Sequence, residues 1–215
     1  MKRLIILFSV LCLLSSGTEL TDLGQGLSYL RLHSVADSEA ALRKAVPGAG
    51  ALVLDLRYAT ANEASAAALQ SALAARPANV PLFILVSPAT PPALGPVISG
   101  SPALTLGAKG SLPAPKVVVQ IDATADRRAY DALDAGTALA QLISGKIEKE
   151  RFDEATLVQE FKNGNPDAAP VPPPDPTAAK PAGAAEKELP VPPVDRVLQR
   201  AVHLHRALLA LKPRS

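Results

Sequence analysis

At 215 residues the chain has room for one domain with tails. Lys and Arg number 22 against 20 Asp and Glu, and a net charge of +2 excludes a nucleic-acid partner held by bulk charge. Aromatic residues make up 3% with no Trp, so the core has to be aliphatic and Ala-rich, which suits helices packed closely on a sheet.

The N-terminus accounts for the surplus charge. Met1-Lys2-Arg3 is basic, and Leu4 to Leu14 is an apolar run broken only by Ser9. Ser15-Ser16-Gly17 places small residues ahead of a cut before Thr18, so residues 1–17 read as a secretory signal peptide. The apolar run is too short to span a bilayer comfortably, and no transmembrane span is expected after cleavage. Without Lys2 and Arg3 the basic and acidic residues balance at 20 each. Leu11 stands where a small residue would precede a lipid-bearing cysteine, so Cys12 is not read as an anchor. The mature chain then lacks cysteine, which excludes disulfides and thiolate chemistry. The expected location is a bacterial periplasm or the secreted fraction.

Residues 18–26 are polar, with Gly24 and Gly26 marking an opening turn. Leu27 to Val35 alternates and reads as a strand near a sheet edge. His33 at its end reads as a surface position, because a general base needs a partner in reach. A helix over 38–46 is closed by Pro47-Gly48-Ala49-Gly50. The stretch 51–86 organises the rest. Leu52, Val53, Leu54 and Leu56 form an apolar run interrupted only by Asp55, and Phe83 to Val86 form another. Such runs suit strands covered on both faces in a parallel sheet. Between them a helix over 62–76 is capped by Asn62, carries Glu63 in its first turn and is stopped by Pro77. Strand, helix and strand make one right-handed crossover unit.

Beyond Val86, Pro88, Pro91, Pro92 and Pro96 exclude a long helix. Strands are expected near 103–106 and 116–121, then an amphipathic helix over 127–144 with Tyr130, Leu133, Leu139, Leu142 and Ile143 on its apolar side. Asp153 to Phe161 reads as a further short helix. The expected fold is α/β: strands near 27–33, 51–57, 80–86, 103–106 and 116–121 in one largely parallel sheet flanked by helices. The ten prolines among 163–193 cannot offset the ordering entropy by burial, so that stretch reads as a disordered linker. Residues 194–215 return to helix through 212, with an apolar stripe of Val194, Val197, Leu198, Ala201, Val202, Leu208, Leu209 and Leu211. That stripe is expected to dock on the α/β domain of residues 18–162. His203 and His205 are two apart, point to different sides of a helix and cannot chelate one metal together. No metal and no cofactor is expected.

Phosphate loops, dinucleotide fingerprints and nucleophile elbows are missing from the sequence. Five segments in order do resemble the C-terminal processing (tail-specific) peptidases, serine peptidase family S41. Leu27 to Leu32 resembles the family's gYixl strand and Leu54-Asp55-Leu56-Arg57 its DLRxNxGG strand. Ile84 to Thr90 resembles the approach to its SASASE nucleophile segment, and Ala103 to Ser111 its GKG lysine loop. Asp195 to Ala201 resembles its closing DxxLxxA helix. The resemblance implies a ClpP/crotonase-type core and a Ser/Lys dyad, in which a neutral lysine takes the serine proton while backbone N–H groups hold the oxyanion.

Carried over residue by residue, Lys109 falls on the lysine loop, displaced by one through Ala108. The nucleophile position falls on Pro91 or Pro92, and Thr90 is the nearest hydroxyl. Where the family has a Gly pair, this chain reads Ala59-Thr60-Ala61-Asn62, and no PDZ domain is accommodated. The leading expectation is therefore a catalytically inactive S41-like binding or scaffold module acting on a polypeptide or envelope-protein partner. The alternatives are an active Ser/Thr-Lys peptidase, using Thr90 or a displaced Ser87, Ser99, Ser101 or Ser111 with Lys109 as base, and a tether acting through its Pro-rich segment.

Overall fold

The computed structural model describes residues 20–48, 50–144 and 193–211. The expected signal peptide, the helix over 153–161 and all of the Pro-rich stretch before Pro193 lie outside these residues. Among the described residues six strands form one sheet in sequential order: β1 (Leu20–Asp22), β2 (Leu27–Arg31), β3 (Ala51–Asp55), β4 (Leu82–Val86), β5 (Leu104–Gly107) and β6 (Val117–Val118). β1 runs antiparallel to β2, and every later neighbouring pair is parallel.

Two helix layers explain why β3 and β4 read as uninterrupted apolar runs. Successive strand residues face opposite ways. Leu52, Leu54, Ile84 and Val86 pack with Leu42 and Val46 of α1 (Glu39–Gly48), Leu69 of α2 (Glu63–Ala74) and Ile98 of α3 (Gly95–Gly100). Val53, Phe83 and Leu85 face the other way, onto Val197, Leu198, Ala201 and Val202 of the C-terminal helix α6 (Arg196–Leu211). Leu133 of α4 (Ala123–Asp134) and Leu139 and Ile143 of α5 (Leu139–Ile143) complete that second layer. Asn62 caps α2 as the sequence predicts. Its Oδ1 accepts the Ser65 N–H at 2.9 Å and Ser65 Oγ accepts the Asn62 N–H at 2.9 Å, a reciprocal capping box.

The structure corrects several element boundaries. The helix expected over 127–144 is two helices. α4 starts earlier because both Asp122 carboxylate oxygens accept N–H groups, of Thr124 at 3.1 Å and Ala125 at 2.9 Å. It ends before Gly136, whose φ of 87° only glycine adopts readily. The residues beyond keep the helical period because α5 lies on the same layer. α1 runs through Pro47 to Gly48 instead of stopping at Val46; proline lacks only one N–H, and in a final turn a single ladder bond is lost. Residues 18–26 contain the short strand β1, and the strand expected over 116–121 pairs with β5 only at Val117 and Val118. A 3-10 turn at Pro92–Leu94 precedes α3 in the proline-rich stretch. The α6 stripe is buried only in its first turns: Leu208 and Leu211 are 43% and 80% exposed.

Candidate functional site

The segments singled out by the family resemblance meet at the carboxyl end of the parallel strands, where open α/β sheets carry their ligand crevices. Arg57 follows β3, Ser87 to Thr90 follow β4, and Ala108 to Ser111 follow β5. The side chains there are committed to holding the backbone. Ser87 is fully buried; its hydroxyl donates to the Arg57 carbonyl and accepts the Ala89 N–H at 3.1 Å. Thr90 is 2% exposed, and its Oγ1 accepts the Ser87 N–H at 2.9 Å while donating to the Leu56 carbonyl at 3.3 Å. Ser111 donates to the Ala108 carbonyl at 2.8 Å. Gly107 makes this closeness possible, since a Cβ there would lie 2.4 Å from the Val86 carbonyl oxygen and 2.8 Å from Ser111 Oγ.

Lys109 stands in the turn after β5 and is exposed. None of the hydrogen bonds made by Ser87, Thr90 or Ser111 goes to it. Of the other serines considered, Ser99 is exposed and Ser101 donates to the Ile98 carbonyl at 2.7 Å. The sheet thus brings the loops of Thr90 and Lys109 to one end and joins the two side chains by no hydrogen bond. A Ser/Lys dyad needs a hydroxyl free to give its proton to a desolvated amine.

Beneath these loops lies a charged cluster whose assembly the sequence does not announce. Arg57 is fully buried on β3's carboxyl end and is surrounded by Asp55, Asp126 of α4 and Asp195 at the start of α6. Its Nε and Nη2 donate to Asp55 at 3.0 and 2.7 Å. Nη1 donates to Asp126 at 2.7 Å and to Asp195 at 3.1 Å, and Nη2 to Asp195 at 2.6 Å. Every guanidinium N–H is used. Tyr29 and Tyr58 add hydroxyl donors, each at 2.8 Å, to Asp55 and Asp126. Asp195 also accepts the Leu198 N–H at 2.9 Å and so caps α6.

Burial disfavours the charge of Arg57, but Asp195 and Asp55 outweigh it and hold its pKa well above the usual value. Burial likewise pushes Asp55 up, and Arg57 overrides it, leaving the carboxyl below its ordinary range. Asp126 goes the other way: burial outweighs Arg57 and Tyr58, and its pKa is raised. The different directions follow from the geometry, because Asp55 receives Nε, Nη2 and the Arg57 N–H, whereas Asp126 receives one guanidinium contact and a tyrosine. Tyr29 is raised by burial and by Asp55. Above the cluster the Arg31 guanidinium lies 3.6 Å from the Tyr130 ring centroid and pairs with Asp134 at 2.6 Å.

Asp55 interrupting an apolar strand, Arg57 beside it and Asp195 opening the last helix all stand in the motif segments quoted from the sequence, but nothing there marked Asp126 or joined the four residues into one cluster. Neither of two concavities resolved on the surface is lined by Thr90 or Lys109. One, of about 210 Å³, lies between Pro77, Val80, Phe83, Leu104 and Leu208. The other, of about 590 Å³, lies between Gln120, Ile121, Asp122, Arg128 and Arg196. Among the described residues no helix is long and apolar enough to cross a membrane, and no group of three or more His, Cys, Asp or Glu could hold a metal ion. No protein-family model matches the chain, and no curated protein matches it.

Proposed function

We propose that the chain is an exported S41-like module with a ClpP/crotonase-type core that engages a polypeptide or envelope-protein partner without cutting it. The mostly parallel sheet flanked by helices is compatible with such a core. The observation that carries the loss of catalysis is the state of the hydroxyls. Ser87, Thr90 and Ser111 are buried and bound to backbone groups, so none is presented to a carbonyl carbon, and the lysine of the matching loop is exposed. A base lysine also has to reach the hydroxyl it deprotonates, and no hydrogen bond joins Lys109 to Ser87, Thr90 or Ser111.

Arg57 cannot substitute as an oxyanion donor, because its N–H groups are already spent on carboxylates and nothing remains to strengthen in a transition state. The test is incubation of the purified mature protein with unfolded polypeptides and a serine-directed phosphonate. The expected result is no cleavage and no labelling. Cleavage or labelling that disappears in both Thr90→Ala and Lys109→Ala would overturn the proposal.

A further inference from the structure

Among the described residues the sheet ends at β6, whose outer edge pairs with no further strand. The Val119 N–H donates to the Gly107 carbonyl at 2.9 Å. N–H groups alternate sides along an extended strand, so the N–H and C=O of Val118 point away from β5. Among the described residues no hydrogen bond engages the N–H of Val118, Gln120 or Ile121. Exposure alternates through the same stretch. Val117, Val119 and Ile121 pack on the helix layer, while Lys116, Val118 and Gln120 are exposed, Val118 by 50%. Lys116-Val117-Val118-Val119-Gln120-Ile121 is rich in β-branched residues, a composition suited to strand pairing, with Lys116 as its one charge.

The charges around it indicate what it meets. The strand runs into the concavity of about 590 Å³, lined by Arg128 of α4 and Arg196 of α6. Neither guanidinium has an ion-pair partner among the described residues. The one carboxylate there, Asp122, caps α4 through the N–H groups of Thr124 and Ala125 and feels the charge of Arg128 without forming an ion pair with it, so two guanidinium groups face one carboxylate. Lys116 adds a third cation at the strand's start, its Nζ on the Ala103 carbonyl at 2.8 Å.

We propose that β6 is a docking edge for an extended polypeptide segment carrying acidic side chains, which adds a strand beside Val118 and sets its carboxylates against Arg128 and Arg196. Main-chain bonds supply the affinity in such strand addition, and the flanking charges select the partner. A second copy of this chain is disfavoured because it would bring its own Lys116, Arg128 and Arg196 to the same edge. The proposal rests on the polypeptide-binding reading and adds the surface and the partner's chemistry.

The test uses fluorescence anisotropy with a labelled peptide of alternating Glu and Val, its Lys-for-Glu counterpart, and a Glu/Val peptide N-methylated at alternate residues. Saturable binding of the first alone is expected, weakened by salt and about tenfold or more weaker in the double variant Arg128→Glu, Arg196→Glu. The methylated probe leaves the protein untouched, so its loss of binding reports main-chain pairing independently of any variant's folding. Absence of binding, equal binding of the Lys or methylated probe, or unchanged affinity in the double variant would overturn the edge. So would a dimer in light scattering that dissociates in Val118→Pro. Cleavage of the probe would instead overturn the non-catalytic reading, so the two failures are distinguishable.

Discussion

Arg57→Met probes the energetic role of the buried cluster, because methionine matches the apolar stem of the arginine and removes the guanidinium with its charge and donors. Arg57 is fully buried and binds Asp55, Asp126 and Asp195 at 2.7, 2.7 and 2.6 Å. Removing one partner of a buried pair costs about 3–5 kcal/mol, since the other charge is stranded. Here three carboxylates lose their cation, so the loss is at least that size against a typical total stability of about 5–15 kcal/mol. The pH dependence follows with a definite sign. Without Arg57, burial is the largest influence left on Asp55 and Asp126 and outweighs the Tyr29 and Tyr58 donors, so both rise above their unfolded value of about 4. An acid with a raised folded pKa contributes stability fully present below the unfolded pKa and lost as pH rises through the folded one. The variant should therefore be more stable at about pH 5 than at about pH 7. In the native protein the lowered Asp55 acts oppositely: its contribution holds above about pH 4 and is lost only as pH falls further. Urea unfolding followed by circular dichroism at both pH values measures this. A variant within about 1 kcal/mol of the parent at neutral pH, or one less stable at about pH 5 than at pH 7, would refute the reasoning.

Asp126→Asn removes the one cluster carboxyl whose pKa is raised, while its amide can still accept from Arg57 and donate to Tyr58. Native stability should fall as pH rises from about 4 through the folded pKa of Asp126, and the variant should flatten that slope in urea titrations across the same range; an unchanged slope counts against it. Gly107→Ala should destabilise by about 1–3 kcal/mol, because its Cβ meets the Val86 carbonyl oxygen at 2.4 Å and backbone has to move. Thermal unfolding checks this, and an unshifted midpoint would mean that the two loops separate without strain.

The parts of the fold legible in the sequence are those set by local rules. β3 and β4 lie within the apolar runs around Asp55 and Phe83, and α2 begins at its Asn62 cap. What escaped depends on non-local partners or on a break hidden in a continuous pattern. Leu139 and Ile143 extend the apolar period of α4 across Gly136 because both helices pack on one layer, so periodicity alone cannot reveal the turn between them. β1 has exposed residues throughout and exists by pairing with β2. At the site, proline at the expected nucleophile position was legible as a chemical deficit. The engagement of Ser87, Thr90 and Ser111 was not, because hydroxyl partners are fixed by how three loops meet.

Saturation connects the cluster to the reading of function. A group that works on a substrate has to keep unspent bonding capacity until the substrate, or its transition state, arrives. Arg57 keeps none. Its bonds run instead from β3 to Asp126 and Asp195, residues 69 and 138 positions away in the chain, and so tie α4 and α6 to the central strand. Asp195 extends the tie by capping α6 and by donating its N–H to the Leu142 carbonyl at 2.8 Å. Gln199 donates its side-chain amide to the Ile143 carbonyl at 2.9 Å, one turn further along. His205 donates to the Gln25 carbonyl at 3.0 Å near the helix's far end. Polar groups at both ends of the parallel strands thus hold the C-terminal helix over the apolar face of the sheet. A rigid floor of this kind suits a surface that presents fixed groups to a partner, and β6 with Arg128 and Arg196 lies at its margin, where among the described residues backbone groups and charges are still unspent.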